Sequence, residues 1–218
     1  FFCLASAGAH RASIGLAGGK ARLFRAGNPL VFSRAVAAIR GSPGVGDVVD
    51  VVDGAENRVG WGVFNPFSMY RVRMLAHAAD EPALTQERDI AALLRTRIAA
   101  CVDVRRACGL PSEETTAYRL VNGEGDRLSG LMVDVFGRTA VVLSSAVWLE
   151  MRRDAVREAL LAVEGIDAVV WRRNEARLRQ DGWAEEALAT TVTEAETEAA
   201  GEGEAADAGR VEVREASL

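Results

Sequence analysis

The stretch of the chain that most constrains its fold is residues 116–144, where three short apolar runs alternate with turn-forming residues. The runs lie at residues 118–121, 131–135 and 140–143, and clusters that contain Gly and Asn, Asp or Arg separate them. Apolar runs of this length bounded by Gly and Asp are typical of strands in a β-meander. The sequence therefore predicts three consecutive strands joined by tight connections.

The first turn of this predicted meander contains Glu124, Asp126 and Arg127. Two carboxylates beside an arginine can form a binding or catalytic site. A cluster of Asn, Gly and Asp is also the ordinary composition of a turn. Because the spacing alone does not show a site, we interpret the three residues as part of a solvated loop.

The same stretch resembles a segment of one known family. It reads YRLVNGEGDRLSGLMVDVFGRTAVV, and it is similar to the segment YRLV-x-GE-x-D-x-L-x-GL-x-VD-x-(Y/F)-G of the bacterial-type, S-adenosylmethionine-dependent large-subunit ribosomal RNA cytosine-C5 methyltransferases. Chains of that family have an N-terminal PUA domain, a small α+β middle domain and a C-terminal Rossmann-like methyltransferase domain. The resemblance implies that this stretch belongs to the middle domain, which performs no chemistry.

The N-terminal part has the pattern of a small all-β barrel. Between residues 12 and 75, short apolar runs are separated by Gly- and Pro-containing turns at roughly 10-residue spacing. The last predicted strand places Arg71 and Arg73 on one face. The segment GNPLVFSRAV resembles the family's G-H-P-W-V-(F/Y)-S-x-A-(V/I), with Asn28 and Leu30 at positions where His and Trp are usual. The resemblance implies a PUA-like RNA-binding domain over residues 12–80.

This domain contains cations mixed with aromatic residues, a combination that suits phosphate contacts and base stacking. The candidate RNA-binding residues are Arg22, Arg25, Arg34, Arg40, Arg71 and Arg73. The aromatic residues are Phe32, Trp61, Phe67 and Tyr70. From the residues alone, the aromatics can equally be barrel core and the arginines a solvated face. Because PUA domains bind structured RNA, the resemblance implies RNA as the partner, in particular large-subunit ribosomal RNA.

A helix is predicted from the acidic start at residues 80–82 to about Cys108, because apolar residues recur at helical spacing between them. Cys101 and Cys108 are seven residues apart, and we predict that both are core thiols on one face. A cytosine-C5 methyltransferase needs a cysteine nucleophile, which the resemblance places in the C-terminal domain. With three cysteines, two histidines and no C-x-x-C, no metal site is predicted.

The predicted fold class is α+β: an N-terminal PUA-like β-barrel, then a small strands–helix–strand domain and a disordered acidic tail. The second domain spans residues 85–180 and contains an amphipathic helix at 148–163 with Met151 facing inward. The tail spans residues 184–210 and has too few large apolar residues for a core. Under the resemblance, residues 211–218 begin the missing methyltransferase domain.

Charge is unevenly distributed along the chain. The formal net charge is −5, but residues 184–218 have a net charge of −8 and residues 1–183 a net charge of +3. The overall acidity is therefore no argument against an RNA partner.

Residues 1–46 contain no acid, so residues 1–11 are interpreted as a processed or transit segment. We expect a cytoplasmic protein, or a chloroplast or mitochondrial one if this segment is a transit peptide; no apolar run is long enough to span a membrane.

The expected function is the RNA-recognition part of an S-adenosylmethionine-dependent ribosomal RNA (cytosine-C5) methyltransferase, with the catalytic domain beyond Leu218. The cofactor of the full-length family is S-adenosylmethionine, and we expect none bound by this chain, because it has no Gly-rich strand-to-helix turn in a βαβ context. No catalytic or metal-binding residue is predicted. One alternative is a stand-alone PUA-type RNA-binding protein without catalytic activity, and another is a non-RNA interaction module that uses the acidic tail.

Overall fold

A computed structural model gives the fold of residues 12–81 and 88–183. The interpretations made for residues 1–11, for Pro82 and for residues 184–218 lie outside the described residues. The chain divides into two compact units. The first comprises Phe1–Pro66 and Tyr70–Arg88, and the second comprises Phe67–Met69 and Asp89–Leu218. Each unit is described by itself.

The first unit is a six-stranded sheet with a short helix. The sheet order is β2-β6-β5-β4-β1-β3, antiparallel except for the parallel pair β1 and β4. The strands are β1 Ser13–Leu16, β2 Leu30–Phe32, β3 Val36–Arg40, β4 Val48–Val52, β5 Arg58–Phe64 and β6 Tyr70–His77. The helix α1, Ala21–Arg25, lies between β1 and β2. The expectation of an all-β segment is therefore wrong at α1, whereas the last predicted strand, which contains Arg71 and Arg73, is confirmed as part of β6.

The sheet of the first unit must curl, because its two edge strands are joined by a very short connection. Only the single 3₁₀ turn Ser33–Ala35 separates β2 from β3. Four residue steps span at most about 14 Å, whereas the edges of a flat six-stranded sheet would lie about 24 Å apart. The sheet is therefore a half-barrel. Its concave side holds a buried core that includes Ile14, Val49, Val72 and Phe24 of α1.

Two glycines in β5 allow β6 to approach closely. A Cβ atom on Gly60 would lie 2.2 Å from the carbonyl oxygen of Ala76, and one on Gly62 would lie 2.1 Å from that of Arg73. The pairing of β5 with β6 shifts register between Trp61 and Gly62, so the strands bend at this point. A side chain at either position would collide with backbone, which cannot move aside as a flexible side chain can.

The second unit is a four-stranded sheet with helices. The sheet order is β10-β9-β8-β7, antiparallel except for the parallel pair β9 and β10. The strands are β7 Ala117–Asn122, β8 Leu131–Phe136, β9 Thr139–Ser144 and β10 Ala168–Arg173. The helices are α2 Ile90–Ala107, α3 Val147–Glu150, α4 Arg153–Leu161 and α5 Glu175–Gln180. The predicted meander is confirmed as β7, β8 and β9, and so is the α+β fold class.

Helices α2 and α4 contact each other and pack on the sheet, α2 at β7 and α4 at β10. Side chains that point to one face of the sheet, such as Val133 and its cross-strand partner Val142, are fully buried. Val141 and Leu143 lie on the opposite face and are only partly buried. The alternation of buried and partly exposed residues along β9 is what a sheet with helices on one side requires.

Three expectations about the helices are wrong in detail. Helix α2 begins at Ile90, since the Asp89 carboxylate accepts hydrogen bonds from the backbone of Ala91 and Ala92 and caps it there. The predicted single helix at 148–163 is two helices, because the backbone of Arg152 is not helical. Met151, expected to face inward, is therefore at the break and 45 % exposed.

The two cysteines of α2 have different environments. Cys101 is buried, and burial, followed by the nearby charge of Asp126, raises the pKa of its thiol to about 11. Cys108 is exposed at the C-cap of the helix, so its interpretation as a core thiol is wrong. The last turns of α2 leave the packed region, as the 52 % exposure of Val104 also shows.

The acidic turn after β7 has a structural role, and Asp126 is less solvated than the interpretation as a solvated loop implies. Asp126 accepts two hydrogen bonds from the Arg105 guanidinium, at 3.2 and 2.6 Å, and one from the backbone of Asn122 at 2.6 Å. Arg105 also donates to the carbonyl of Arg119 at 2.9 Å. The carboxylate of Asp126 thus joins α2 to the β7–β8 connection, and Glu124 accepts from Ser129 at 2.8 Å within that connection.

We expect Gly62→Ala to destabilise the first unit by about 1–3 kcal/mol or more, because its Cβ would overlap the carbonyl of Arg73. The matched control is Gly54→Ala, where a Cβ meets no atom within 4 Å. Urea denaturation followed by circular dichroism measures both. Equal midpoints for the two variants would contradict the close approach of β5 and β6.

We expect Asp126→Asn to lower the free energy of unfolding by about 1–3 kcal/mol, because it weakens a charge-assisted hydrogen-bond pair that is largely shielded from water. The control is Glu164→Gln, whose partner Arg106 and own side chain are both exposed, so that about 0.5 kcal/mol or less is expected. Urea denaturation of the two variants is again the measurement. A larger loss for Glu164→Gln would argue against this assignment.

Candidate nucleic-acid interface

Residues 20–35 form a basic segment on the first unit. This segment, which runs from the N-cap of α1 to the end of the 3₁₀ turn after β2, has four cations and no acid. The cations are Lys20, Arg22, Arg25 and Arg34, and all four are exposed. Phe24 anchors α1 in the core while the neighbouring arginines face solvent. The fold therefore holds these charges on a rigid element.

The six predicted RNA-binding arginines do not have equivalent surroundings. Two of them form ion pairs with carboxylates of one turn, the β4–β5 connection at residues 53–57. Arg25 donates to Asp53, and Arg40 makes two hydrogen bonds to Glu56 at 2.8 and 2.6 Å. An arginine whose charge is already compensated gains less from a phosphate, since the existing pair must be broken or shared.

Within the part of the chain that the structure describes, no carboxylate pairs with Lys20, Arg22 or Arg34. These three are the cations of the basic segment whose charge is left for a ligand. Lys20 was missed in the sequence analysis, although its place in an acid-free stretch next to Arg22 was the available signal. Its position as the N-cap residue of α1 became apparent only from the fold.

The two predicted arginines of β6 are less accessible. Arg71 is partly buried and Arg73 is only 8 % exposed. The Arg73 guanidinium carbon lies 5.1 Å from the centre of the Tyr70 ring, in the range of a cation–π contact. A charge reversal at Arg73 would bury a carboxylate and would disturb folding as well as binding. Arg73 therefore supports the neighbouring aromatic ring and cannot point freely to a ligand.

The four aromatic residues of the predicted interface were interpreted either as barrel core or as a surface for base stacking, and the structure contains examples of both. Trp61 is fully buried and belongs to the core. Phe67 is 70 % exposed but belongs to the second unit. Phe32 is 42 % exposed, and its ring centre lies 5.1 Å from that of Tyr70 with the ring planes at 67°. Phe32 and Tyr70 are thus an edge-to-face pair at the surface of the first unit.

The two positions that depart from the family pattern have local roles. The side-chain oxygen of Asn28 accepts a hydrogen bond from the backbone of Leu30 at 3.0 Å. This contact is a turn of the kind that Asn forms with its own backbone. Leu30 is partly buried at the start of β2, where it pairs with Arg73. Asn28 therefore fixes the path of the chain into the edge strand that bears Phe32.

The described part of the second unit contains one parallel β-α-β unit, from β9 through α3 and α4 to β10, which is the arrangement that often holds a nucleotide-type cofactor. Ser145 and the fully buried Ala146 connect β9 to α3, where a nucleotide-type site needs glycines. The backbone of Val147, at the helix start, donates to the Asp181 carboxylate at 2.9 Å. The unit therefore does not fit S-adenosylmethionine, because a buried carboxylate already occupies the helix start.

The described residues offer neither a metal site nor a membrane-spanning helix. Among residues 12–81 and 88–183, no three His, Cys, Asp or Glu side chains come together in a group suited to a metal ion. None of the helices that the structure describes is long and apolar enough to cross a membrane. The basic segment and the aromatic pair thus remain the features of the first unit with the chemistry of a ligand surface.

The comparisons with known proteins agree with the division into two units. The family model described as "PUA-like domain" matches residues 14–77, which are the six strands and α1 of the first unit. The predicted PUA-like fold is therefore confirmed for this part of the chain. Sequence matches to longer proteins extend beyond this unit and cover 70–77 % of the chain.

Curated relatives are named ribosomal RNA large subunit methyltransferase I. The protein from Alteromonas mediterranea is 31 % identical over 153 residues, which cover 70 % of this chain and 36 % of the relative. The proteins from Escherichia coli O1:K1 and Erwinia tasmaniensis are each 29 % identical, and the matches cover 77 % and 76 % of this chain and 40 % of each relative. The chain thus spans 36–40 % of the length of these relatives.

Two solved structures have a similar fold. One is described, provisionally, as an S-adenosylmethionine-dependent methyltransferase from Streptococcus mutans; it has a TM-score of 0.62 at 16 % identity and matches 75 % of this chain and 41 % of its own. The other is a methyltransferase, also provisionally described, in complex with SAH; it has a TM-score of 0.59 at 18 % identity, covering 73 % and 40 %. At these identities the likeness concerns the fold alone.

The ion pair of Arg25 with Asp53 can be tested by titration. Hydrogen bonds from the Arg25 side chain and from the Asn57 backbone lower the pKa of Asp53 to about 2. Ionised Asp53 therefore contributes stability above its ordinary pKa of 3.8, and this contribution is lost as the pH falls toward 2. We expect Arg25→Gln to raise the pKa of Asp53 toward 3.8, as read from its carboxyl carbon shift by NMR. The control Arg40→Gln should leave it near 2, and a pKa unaffected by Arg25→Gln would rule out the pair in solution.

Proposed function

We propose that this chain is the RNA-recognition part of an S-adenosylmethionine-dependent methyltransferase that modifies C5 of a cytosine in large-subunit ribosomal RNA. The observation that supports this most strongly is the exposed basic segment of the PUA-like unit, with Lys20, Arg22 and Arg34 held on α1 and the following turn. The relatives named ribosomal RNA large subunit methyltransferase I support ribosomal RNA as the ligand. The sequence segments that resemble the cytosine-C5 family support the choice of base and position.

The proposed binding rests on simple electrostatics. RNA presents a regular array of negative phosphates with condensed counterions, and each cation that contacts a phosphate releases counterions into solution. Because the basic segment contains no acid over sixteen residues, nothing in it repels the phosphate backbone. The predicted arginines Arg25, Arg40, Arg71 and Arg73 are assigned supporting roles in this proposal, since each already has a contact within the unit.

Methyl transfer is assigned to a part of the protein other than the described residues. Cys101 is buried with a raised pKa, and a thiol of that kind is a poor nucleophile. The only parallel β-α-β unit in the described part has a carboxylate at its helix start. The proposal therefore gives the described units the task of positioning RNA, and S-adenosylmethionine and the nucleophile belong to the catalytic domain expected beyond Leu218.

The site of action is the cytoplasm, where the ribosomal RNA of a bacterium is made.

The alternative function is RNA binding without catalysis. It is favoured by the same basic segment and differs only in the absence of methyl transfer. Incubating ribosomal RNA with the protein as purified from its host, together with tritiated S-adenosylmethionine, distinguishes the two. Incorporation of tritium into C5 of a cytosine supports the methyltransferase proposal, and RNA binding without incorporation supports the alternative.

We expect Arg22→Gln combined with Arg34→Gln to weaken binding to ribosomal RNA and to reduce the slope of log affinity against log salt by about 2, one for each lost phosphate contact. The measurement is fluorescence anisotropy of a labelled RNA over a series of salt concentrations. The fold should be unchanged, because both side chains are exposed.

The matched control removes the same charge from ion-paired positions, by Arg40→Gln combined with Arg58→Gln. Arg40 pairs with Glu56 and Arg58 lies 3.6 Å from Asp50. We expect a smaller change in the salt slope for this control. If the two double variants lose affinity equally, net charge and not the basic segment determines binding. If the wild-type affinity does not depend on salt, phosphate-led binding is excluded.

A further inference from the structure

We propose that Phe32 is a stacking platform for one unpaired RNA base, held in place by Tyr70 and Arg73. The proposal rests on the proposed RNA binding and adds the class of RNA that the PUA-like unit recognises: a loop or bulge with an exposed base, next to which Arg34 contacts a phosphate.

The position of Phe32 is fixed by the sheet. Phe32 is the last residue of the edge strand β2 and pairs directly with Tyr70 at the start of β6. The two ring centres are 5.1 Å apart, and because the planes meet at 67° the rings do not stack face to face. In an edge-to-face contact Tyr70 covers at most one face of the Phe32 ring. With 42 % of the residue exposed, the ring offers an aromatic surface to a ligand.

The Tyr70 ring in turn contacts the side chain of Arg73. The guanidinium carbon of Arg73 lies 5.1 Å from the centre of the Tyr70 ring, and Arg73 is only 8 % exposed. The register places Arg73 opposite Leu30 on the same pair of strands. The three side chains form a row from the buried cation to the exposed phenyl ring. This row keeps Phe32 in one orientation, so that stacking costs little conformational entropy.

The charges beside the platform favour a nucleobase over an apolar protein surface. Arg34 follows Phe32 by two residues, is exposed, and has no carboxylate partner among the residues described. No acid occurs in residues 20–35. An aromatic face beside a cation binds a base by stacking and its phosphate by charge. Bases inside an A-form duplex are already stacked on one another, so the ligand must present a base that is unpaired.

The first experiment compares two RNAs and two variants. The RNAs are a hairpin with an unstructured loop and a fully paired duplex of equal charge. Phe32→Leu keeps an apolar side chain of similar size but removes the aromatic face, and Phe32→Trp retains it. We expect Phe32→Leu to lose at least about 5-fold in affinity for the hairpin, since stacking contributes a factor of that order or more for each base. Its affinity for the duplex should be unchanged, and Phe32→Trp should bind the hairpin at least as well as the wild type.

A second measurement does not depend on any variant. An RNA hairpin with 5-iodouridine in its loop is bound to the wild-type protein and irradiated, which joins the base to an aromatic ring stacked on it. Trypsin cleaves after Arg25 and Arg34, and the peptide between them, AGNPLVFSR, contains Phe32 as its only aromatic residue. We expect mass spectrometry to find the cross-link on this peptide.

The outcomes separate this inference from the proposed function. Salt-dependent hairpin binding that Phe32→Leu leaves unchanged, or a cross-link confined to other peptides, would overturn the platform and leave RNA recognition standing. An equal loss of hairpin and duplex binding in Phe32→Leu would also overturn it, because the effect would then not depend on an unpaired base. If the wild type binds neither RNA, the proposed function itself fails.

Discussion

The structure of the first unit depends on the close approach of two backbones at Gly60 and Gly62. The carbonyl groups of β6 occupy the space that a side chain on β5 would need, and the strands bend where their register shifts. This bend curls the sheet enough for a single 3₁₀ turn to join its two edges. Since β2 pairs with β6, the same bend determines where the basic segment and Phe32 lie. The ligand chemistry proposed for the unit thus depends on close contacts between backbone atoms of β5 and β6.

The described part of the second unit is organised by polar contacts between its elements. Arg105 and Asp126 join α2 to the meander, and the Asp181 carboxylate accepts from the backbone at the start of α3. The Trp148 indole donates to the carbonyl of Ser129 at 3.0 Å in the same region. Charged and polar groups that might suggest a catalytic site in the sequence therefore serve to hold elements together.

The sequence predicted the elements that have strong local signals. The meander was found because apolar runs and turn residues alternate at strand length, and α2 because its apolar residues recur at helical spacing. Helix α1 was missed, since five residues are too few for a period and no side chain caps it. The exposure of Cys108 and the break at Arg152 depend on where packing ends, which no local pattern records. For the candidate interface, the sequence supplied the basic residues but not their pairing, because Arg25 and Asp53 are 28 residues apart.

The edge strand β3 has a consequence for the behaviour of the protein in concentrated solution. Among the described strands it pairs with β1 alone, and residues 37–40 are all exposed, with Ile39 at 48 %. An apolar edge with unpaired backbone groups is a template on which another chain can add a strand and begin aggregation. Arg40 is the last residue of this strand and donates hydrogen bonds to Glu56, so that a charged pair lies at the end of the exposed edge. A charge on such an edge strand disfavours the addition of a strand from another chain.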